Sequence, residues 1–443
     1  MNQIRVKPKD AANIITSLEA GVVPKRGVQQ LMVGRNKEVV EVINVLERIS
    51  QGESDVKFWV GDFGSGKSFM LQMIQSIATQ RNFVSSTIDL TPTRRLQASD
   101  GKGRALYREI IDQLTIKTAQ DGNALKTILD EWLEKVMFEV AEDSRISSSD
   151  VQAGAEQKKV ENKILNTVNN FKSSGLSYEI GLAIIAYYKG MIQNNLYLQQ
   201  DALRWIQGDY PNKTAAKKGV GIATFISDDN WFEAVKTLSE LFLDIGYSGF
   251  IINLDEMVNL YQLSHAVSRD RNYERVLNIY NECKSGRARG LMFNFGVTRK
   301  ALFDEYKGMA SYGALKTRLG DERSLDSKLV NTNKTVLPLK PLTNEEIFTL
   351  LENLVSVYNT YHKSEIQLSQ NEITQYMEIQ LNRPGAAEFL TPRAVIKDFL
   401  EILDLIRQNS TVAISDVIKD KFGDNLAPVL KDILDTEDEV EIL

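Results

Sequence analysis

The chain is poor in the residues that build covalent or metal-bound frameworks. It has one cysteine, Cys283, and two histidines, His265 and His362, in 443 residues. A single thiol excludes an intramolecular disulfide and any thiolate metal cluster, and it fits a reducing compartment. The two histidines lie far apart in sequence, so lone, satisfied imidazoles are expected. No apolar run is long enough to span a bilayer, and no apolar signal segment opens the chain, so a cytoplasmic protein without membrane contact is expected. Strong charge of one sign is missing too. The 53 Lys and Arg against 59 Asp and Glu leave a formal charge of −6, which argues against a protein that coats nucleic acid. What remains is an ordinary composition, 43% hydrophobic and 25% charged, at a length that calls for two or three domains.

Against that background stands WVGDFGSGKSFM, from Trp59 to Met70. Gly61, Gly66, Lys67 and Ser68 fit the phosphate-loop spacing of a glycine, four residues, then Gly-Lys-Ser/Thr. Val56 to Val60 reads as a short buried strand, and the residues after the loop repeat apolar side chains at helical spacing. Strand, glycine loop and helix turn backbone N–H groups and a helix N-terminus toward phosphate, while Lys67 adds charge near the β/γ oxygens. The candidate nucleotide-contacting residues are therefore Gly61, Asp62, Phe63, Gly64, Ser65, Gly66, Lys67, Ser68 and Phe69. The expected ligand is ATP, with Mg2+ held through the Ser68 hydroxyl.

The rest of the chain reads as an α/β core with a parallel sheet. Residues 9–20 and 36–50 are expected helices, FVSSTIDL a second strand, and residues 91–104 a basic, glycine-containing loop at its end. From Ala105 to Ser239 the pattern is helical, with a serine-rich connection at 144–159 and an apolar core helix in YEIGLAIIAYYKGMI. Strands return in GFIINLDEM, RGLMFNFGVTRK and TVLPLKPLT (335–343). Helices follow from Asn344 to about Arg407, and DTEDEVEIL is an acidic, solvated tail. The expected divisions are 1–104 and 240–340 for the core, 105–239 for an inserted helical subdomain, and 341–443 for a helical lid.

GFIINLDEM ends in Asp255 and Glu256, where a phosphate-loop enzyme holds magnesium and orients water. Asp255 is the second candidate metal residue, and Glu256 the candidate general base. The two motifs are expected on adjacent strands of one sheet. Thr298, ending the strand beside the Asp-Glu pair, is the candidate contact to the γ-phosphate or the attacking water. Asn294 is the alternative, although alternation places it mid-strand.

The order of these motifs resembles AAA+ ATPases: a phosphate loop, GFIINLDEM, LMFNFGVT, an arginine in LKTRL ahead of VLPLKPLTNEEI, then TPRAVIKDFL. The chain is most similar to their initiator-like branch, which includes origin-recognition proteins. More narrowly it resembles the ATP-binding proteins of bacteriophage-exclusion (BREX) and related defence islands, through IITSLEAGVVPKRGVQQLMVGR, ALRWIQGDY, GYSGFIINLDE, YGALKTRL and TPRAVIKDFL. The similarity runs from about residue 9 to 405. It implies a sensor-2 role for Arg393, in the first turn of a helix begun by Pro392. It also implies an arginine finger acting in a neighbouring subunit at Arg318, with Arg269 and Arg271 as rivals. Gly34 and Arg35 join the cofactor-binding residues.

The implied function is an ATP-hydrolysing, oligomerising switch or remodeller in anti-phage defence, working with a DNA-acting partner protein. A nucleotide switch of the STAND type with little turnover, or an initiator-like loader, are the alternatives. No clear winged helix follows Thr411, which argues against direct duplex reading. The basic stretches at Lys213, Lys217 and Lys218 and at CKSGRARG (283–290) are candidates for weak, nonspecific nucleic-acid contact. ALRWIQGDY (202–210) carries no derivable chemistry, and Trp205 is expected to be a core anchor.

Overall fold

Three of the expected strands, in VKFWV, GFIINLDEM and RGLMFNFGVTRK, are mostly apolar and buried along their length, the pattern of a parallel sheet covered on both faces. The computed structural model describes residues 4–147, 152, 154–172, 175–327, 331–383, 391–409, 412, 416, 417, 420 and 421. The chain divides into two compact units: Val40–Val60 with Ile77–Pro338, and Met1–Val39 with Gly61–Ser76 and Leu339–Leu443.

The first of these units holds a parallel five-stranded sheet. Its strands are β1 (Asp55–Val60), β2 (Val84–Asp89), β3 (Phe250–Asp255), β4 (Leu291–Val297) and β5 (Val336–Pro338), in the order β2-β3-β4-β1-β5. The order corrects one expectation. β3, which carries Asp255, is not the neighbour of β1, because β4 lies between them. β5 is also shorter than TVLPLKPLT suggested; Pro338 and Pro341 lack the N–H that a longer ladder requires.

Register aligns the carboxyl ends of the strands, pairing Val60 with Val297 and Asp89 with Asp255. A polar ladder crosses the sheet beneath those ends. Trp59 Nε1–H donates to Asn294 Oδ1 at 3.0 Å, Asn294 Nδ2–H to Asn253 Oδ1 at 2.9 Å, and Asn253 Nδ2–H to Thr87 Oγ1 at 2.9 Å. Both asparagines are fully buried. Lys57, also buried in β1, donates to Glu41 at 2.8 Å and to the Thr332 and Lys334 carbonyls at 3.0 Å each, anchoring the approach to β5.

Between β2 and β3 the described residues form seven α-helices, from Lys102–Asp112 to Trp231–Ile245. Their apolar faces share one core with the sheet, including Trp132, Trp205 and Trp231. The apolar stretch noted in sequence is the helix Ser177–Ile192, buried along most of its length.

The other unit packs Pro8–Glu19 with Asn344–His362, Gln370–Asn382 and Pro392–Gln408 around Ile14, Leu354, Tyr376 and Phe399. The helix starts follow local chemistry. Thr343 with Glu346 and Ser369 with Glu372 form reciprocal capping boxes, and the Thr391 side chain caps the helix begun by Pro392. The acidic tail lies outside the described residues. Among those described, no helix is long and apolar enough to cross a membrane.

Candidate functional site

After Val60 the chain enters the loop Gly61–Gly66, where Ser65 N–H donates to the Asp62 carbonyl at 3.2 Å. Gly64 and Gly66 adopt φ of +83° and +88°, a region that L side chains enter only under strain. A Cβ on Gly64 would stand 2.7 Å from Thr391 Cγ2, so glycine is required there twice over. Helix Lys67–Gln80 begins at once, and Met70 N–H closes its first turn on the Gly66 carbonyl at 2.8 Å. The Lys67 ammonium arches back over the loop to the Gly61 and Asp62 carbonyls, at 3.0 and 2.9 Å. Ser65 Oγ is buried with no hydrogen-bond partner. Glycines in the left-handed region, an ammonium folded onto the loop and an orphaned hydroxyl fit a phosphate chain.

The other expected nucleotide contacts lie in different surroundings. Phe63 is 82% exposed at the loop tip, whereas Phe69 packs against the apolar core of its unit. Gly34, at φ +66°, lies flat against Glu346, since a Cβ there would fall 2.2 Å from its carboxyl carbon. Arg35 is buried at 5% exposure and donates through Nη2 to the Ser65 carbonyl at 2.9 Å and the Lys340 carbonyl at 2.7 Å. Burial lowers its pKa, opposed by the Glu38 and Glu346 charges. Arg393 is exposed in the first turn of its helix, its stem beside Gly21.

In the sheet unit, Asp255 is buried at the end of β3 and Glu256 is exposed. Glu256 has φ +56°, unusual for a residue with a long side chain. Its N–H donates to Asp255 Oδ1 at 2.8 Å, and its carbonyl accepts from Asn259 N–H at 2.9 Å. Non-glycine residues persist in this region where their surroundings over-determine the backbone, a pattern common at active sites.

Sequence reasoning missed Asp89. As the register partner of Asp255 it sets a second carboxyl beside the first, and desolvation together with the Asp255 charge raises its pKa. The available signal was FVSSTIDL, a strand ending in an acid at the ligand-binding edge of an open sheet.

Thr298 directly follows β4, the neighbour of β3, and its hydroxyl oxygen caps helix Arg299–Phe303 by accepting from Ala301 N–H at 3.2 Å. The hydroxyl keeps its hydrogen to donate. Asn294 belongs instead to the buried ladder, mid-strand as alternation placed it. Arg318 is exposed on the short helix Gly313–Leu319, donating to the Ala314 carbonyl and to Thr317 Oγ1. Its rival Arg269 is buried and donates to the Leu263 carbonyl at 2.7 Å. Arg271 is exposed. Arg299, which sequence analysis passed over, donates to Glu322 and grips Asp326 with both Nη atoms, tying the helix after Thr298 to the segment after Arg318.

ALRWIQGDY is a joint. Trp205 Nε1–H donates to the Thr224 carbonyl, Tyr107 OH to the Ile206 carbonyl, and Arg104 and Arg108 reach the Tyr210 carbonyl and Asp209. The supposed lysine loop is the helix Lys213–Val220, with all three lysines exposed. In CKSGRARG, Lys284 pairs with Asp55 and Arg287 with Glu282. Cys283 is buried, which pushes its thiol pKa up and leaves it inert.

A family model described as "BREX system ATP-binding protein BrxC/D" matches residues 6–422. No individual curated protein matches the chain.

Proposed function

Because the chain belongs to the BrxC/BrxD family of ATP-binding proteins of the BREX phage-defence system, we propose that it is an ATP-hydrolysing AAA+ switch of the initiator-like branch that assembles into oligomers. The observation that carries hydrolysis is Glu256, held in left-handed backbone directly after the buried Asp255. A switch without turnover has no need of a carboxylate fixed in that way.

In this reading the N–H groups of residues 64–68 and the Lys67 ammonium bind the β- and γ-phosphates. Ser68 and Asp255 are the residues that hold Mg2+, which when bound neutralises charge on the phosphate oxygens. Glu256 takes a proton from the attacking water, Thr298 orients that water or the γ-phosphate through its hydroxyl hydrogen, and Arg393 answers the γ-phosphate from the lid. Arg318, exposed and without a carboxylate pair among the described residues, supplies charge to a neighbouring subunit. Contacts to the γ-phosphate vanish on hydrolysis, and only such differential contacts shift a conformational equilibrium. ATP rather than ADP therefore drives assembly, in the cytoplasm, next to a partner protein that acts on DNA. The exposed lysines of Lys213–Val220 add salt-sensitive nucleic-acid contact.

The test is a pair of variants. Lys67→Ala loses ATP binding, whereas Glu256→Gln keeps binding and slows turnover by about 100- to 10,000-fold, the usual worth of a general base. Sedimentation of Glu256→Gln with ATP and then ADP reads assembly. Parent-like hydrolysis in Glu256→Gln removes the base assignment, and one oligomeric state with both nucleotides removes the switch.

A further inference from the structure

We propose that Arg35 is a positioning residue that locks the Ser65–Gly66 peptide plane and so aims the Gly66 N–H into the phosphate cradle. The proposal rests on the nucleotide-site reading above, but it assigns Arg35 a task other than touching the nucleotide.

In a trans peptide the carbonyl and the following N–H lie in one plane and point in opposite directions. Whatever holds the Ser65 carbonyl therefore fixes the direction of the Gly66 N–H. The Arg35 guanidinium holds that carbonyl at 2.9 Å, from a site only 5% exposed.

A lock is needed because the plane has little of its own. Rotating the 65–66 peptide changes ψ of Ser65 and φ of Gly66, and glycine populates both signs of φ about equally. The observed φ of +88° at Gly66 is one of two states open to it. The Ser65 side chain offers no alternative anchor, since its Oγ is buried without a partner.

The guanidinium is itself held. It donates to the Lys340 carbonyl at 2.7 Å, lies 3.6 Å from Glu38, and follows Gly34, which is pressed against Glu346. A planar fork with fixed donor directions can serve two carbonyls at once, and a lysine ammonium on a flexible stem cannot reproduce that geometry.

Losing one hydrogen bond to a charged phosphate costs roughly a factor of 10 to 100 in affinity. Fluorescent ATP and ADP analogues titrated into the full chain should therefore bind Arg35→Met at least about tenfold more weakly than the parent, with Arg35→Lys in between. Thermal unfolding of the same samples separates positioning from mere support, because a purely structural arginine lowers the melting temperature without changing affinity in the folded protein.

A second readout reports the peptide itself. Labelling serine carbonyl carbons and glycine nitrogens selects the four Ser-Gly pairs of the sequence, Ser65–Gly66 among them. The Gly66 amide signal should shift with ADP in the parent and stay unmoved in Arg35→Met. Parent-like affinity and a parent-like Gly66 response in Arg35→Met overturn the proposal. If that variant does not fold, Arg35→Lys decides by the same measure, with parent affinity overturning it. A parent chain that binds neither nucleotide refutes the underlying site instead.

Discussion

Asn294 offers the clearest test of whether the carboxyl end of the sheet is organised as described. Leucine has the branching of asparagine without its polar atoms, so Asn294→Leu removes the ladder while leaving little cavity. It withdraws the acceptor 3.0 Å from Trp59 Nε1 and the donor 2.9 Å from Asn253 Oδ1. Both partners stay in a fully buried layer where water cannot replace what is lost. Each buried polar group deprived of a partner costs about 1 to 3 kcal/mol, so the variant should lose about 2 to 6 kcal/mol of stability. That is a large part of what a domain of this kind has in total.

The assay is urea unfolding followed by tryptophan fluorescence. All four tryptophans, Trp59, Trp132, Trp205 and Trp231, belong to the sheet unit, so the signal reports that unit alone. Asn253→Leu and the double variant complete a cycle, and the double change should cost less than the sum of the singles because the two side chains share a bond. A loss below about 0.5 kcal/mol, the range of an uncoupled surface change, refutes the ladder as a structural device. If nucleotide turnover falls at the same time, Asn294 would instead be the group that senses phosphate.

Two further outcomes follow from the site. If Arg318 serves a neighbouring subunit as proposed, Arg318→Ala should bind nucleotide normally but lose hydrolysis by a factor of about 1,000 or more, the usual worth of an arginine finger. Mixing it with Lys67→Ala should restore part of the activity, and no rescue at any mixing ratio counts against a finger acting between subunits. Asp89, whose pKa is raised by desolvation and by Asp255, is a like charge that the ligand-free fold tolerates at neutral pH. A raised carboxyl pKa means that the folded state favours the protonated form, so its contribution is present at low pH and lost as pH rises through the folded value. Asp89→Asn should accordingly raise the urea midpoint at pH 7, with the gain closing as pH falls toward about 4. A gain independent of pH would show that charge is not its source.

How far sequence alone reaches depends on the range of the interaction involved. Glycine spacing, Pro392 at the start of its helix and the apolar runs in GFIINLDEM and RGLMFNFGVTRK act within a few residues of chain, and the structure contains the corresponding loop, helix and strands. The glycine loop ahead of Lys67 is legible for the same reason: its shape depends on consecutive backbone units and one lysine. Other features are decided by partners far away in sequence. Trp59 and Asn294 are 235 residues apart, and only strand order, with β4 between β1 and β3, makes the asparagine a rung of the ladder. Asp89 meets Asp255 through register alone. Arg269 and Arg318 look alike as helical arginines; burial against the Leu263 carbonyl removes the first from reach and exposure leaves the second available. Arg35 is one charge in VGR until the fold brings it to the carbonyls of Ser65 and Lys340, the second of them 305 residues away. A backbone rule needs only its neighbours, whereas the role of a side chain is set by whichever surface the folded chain carries to it.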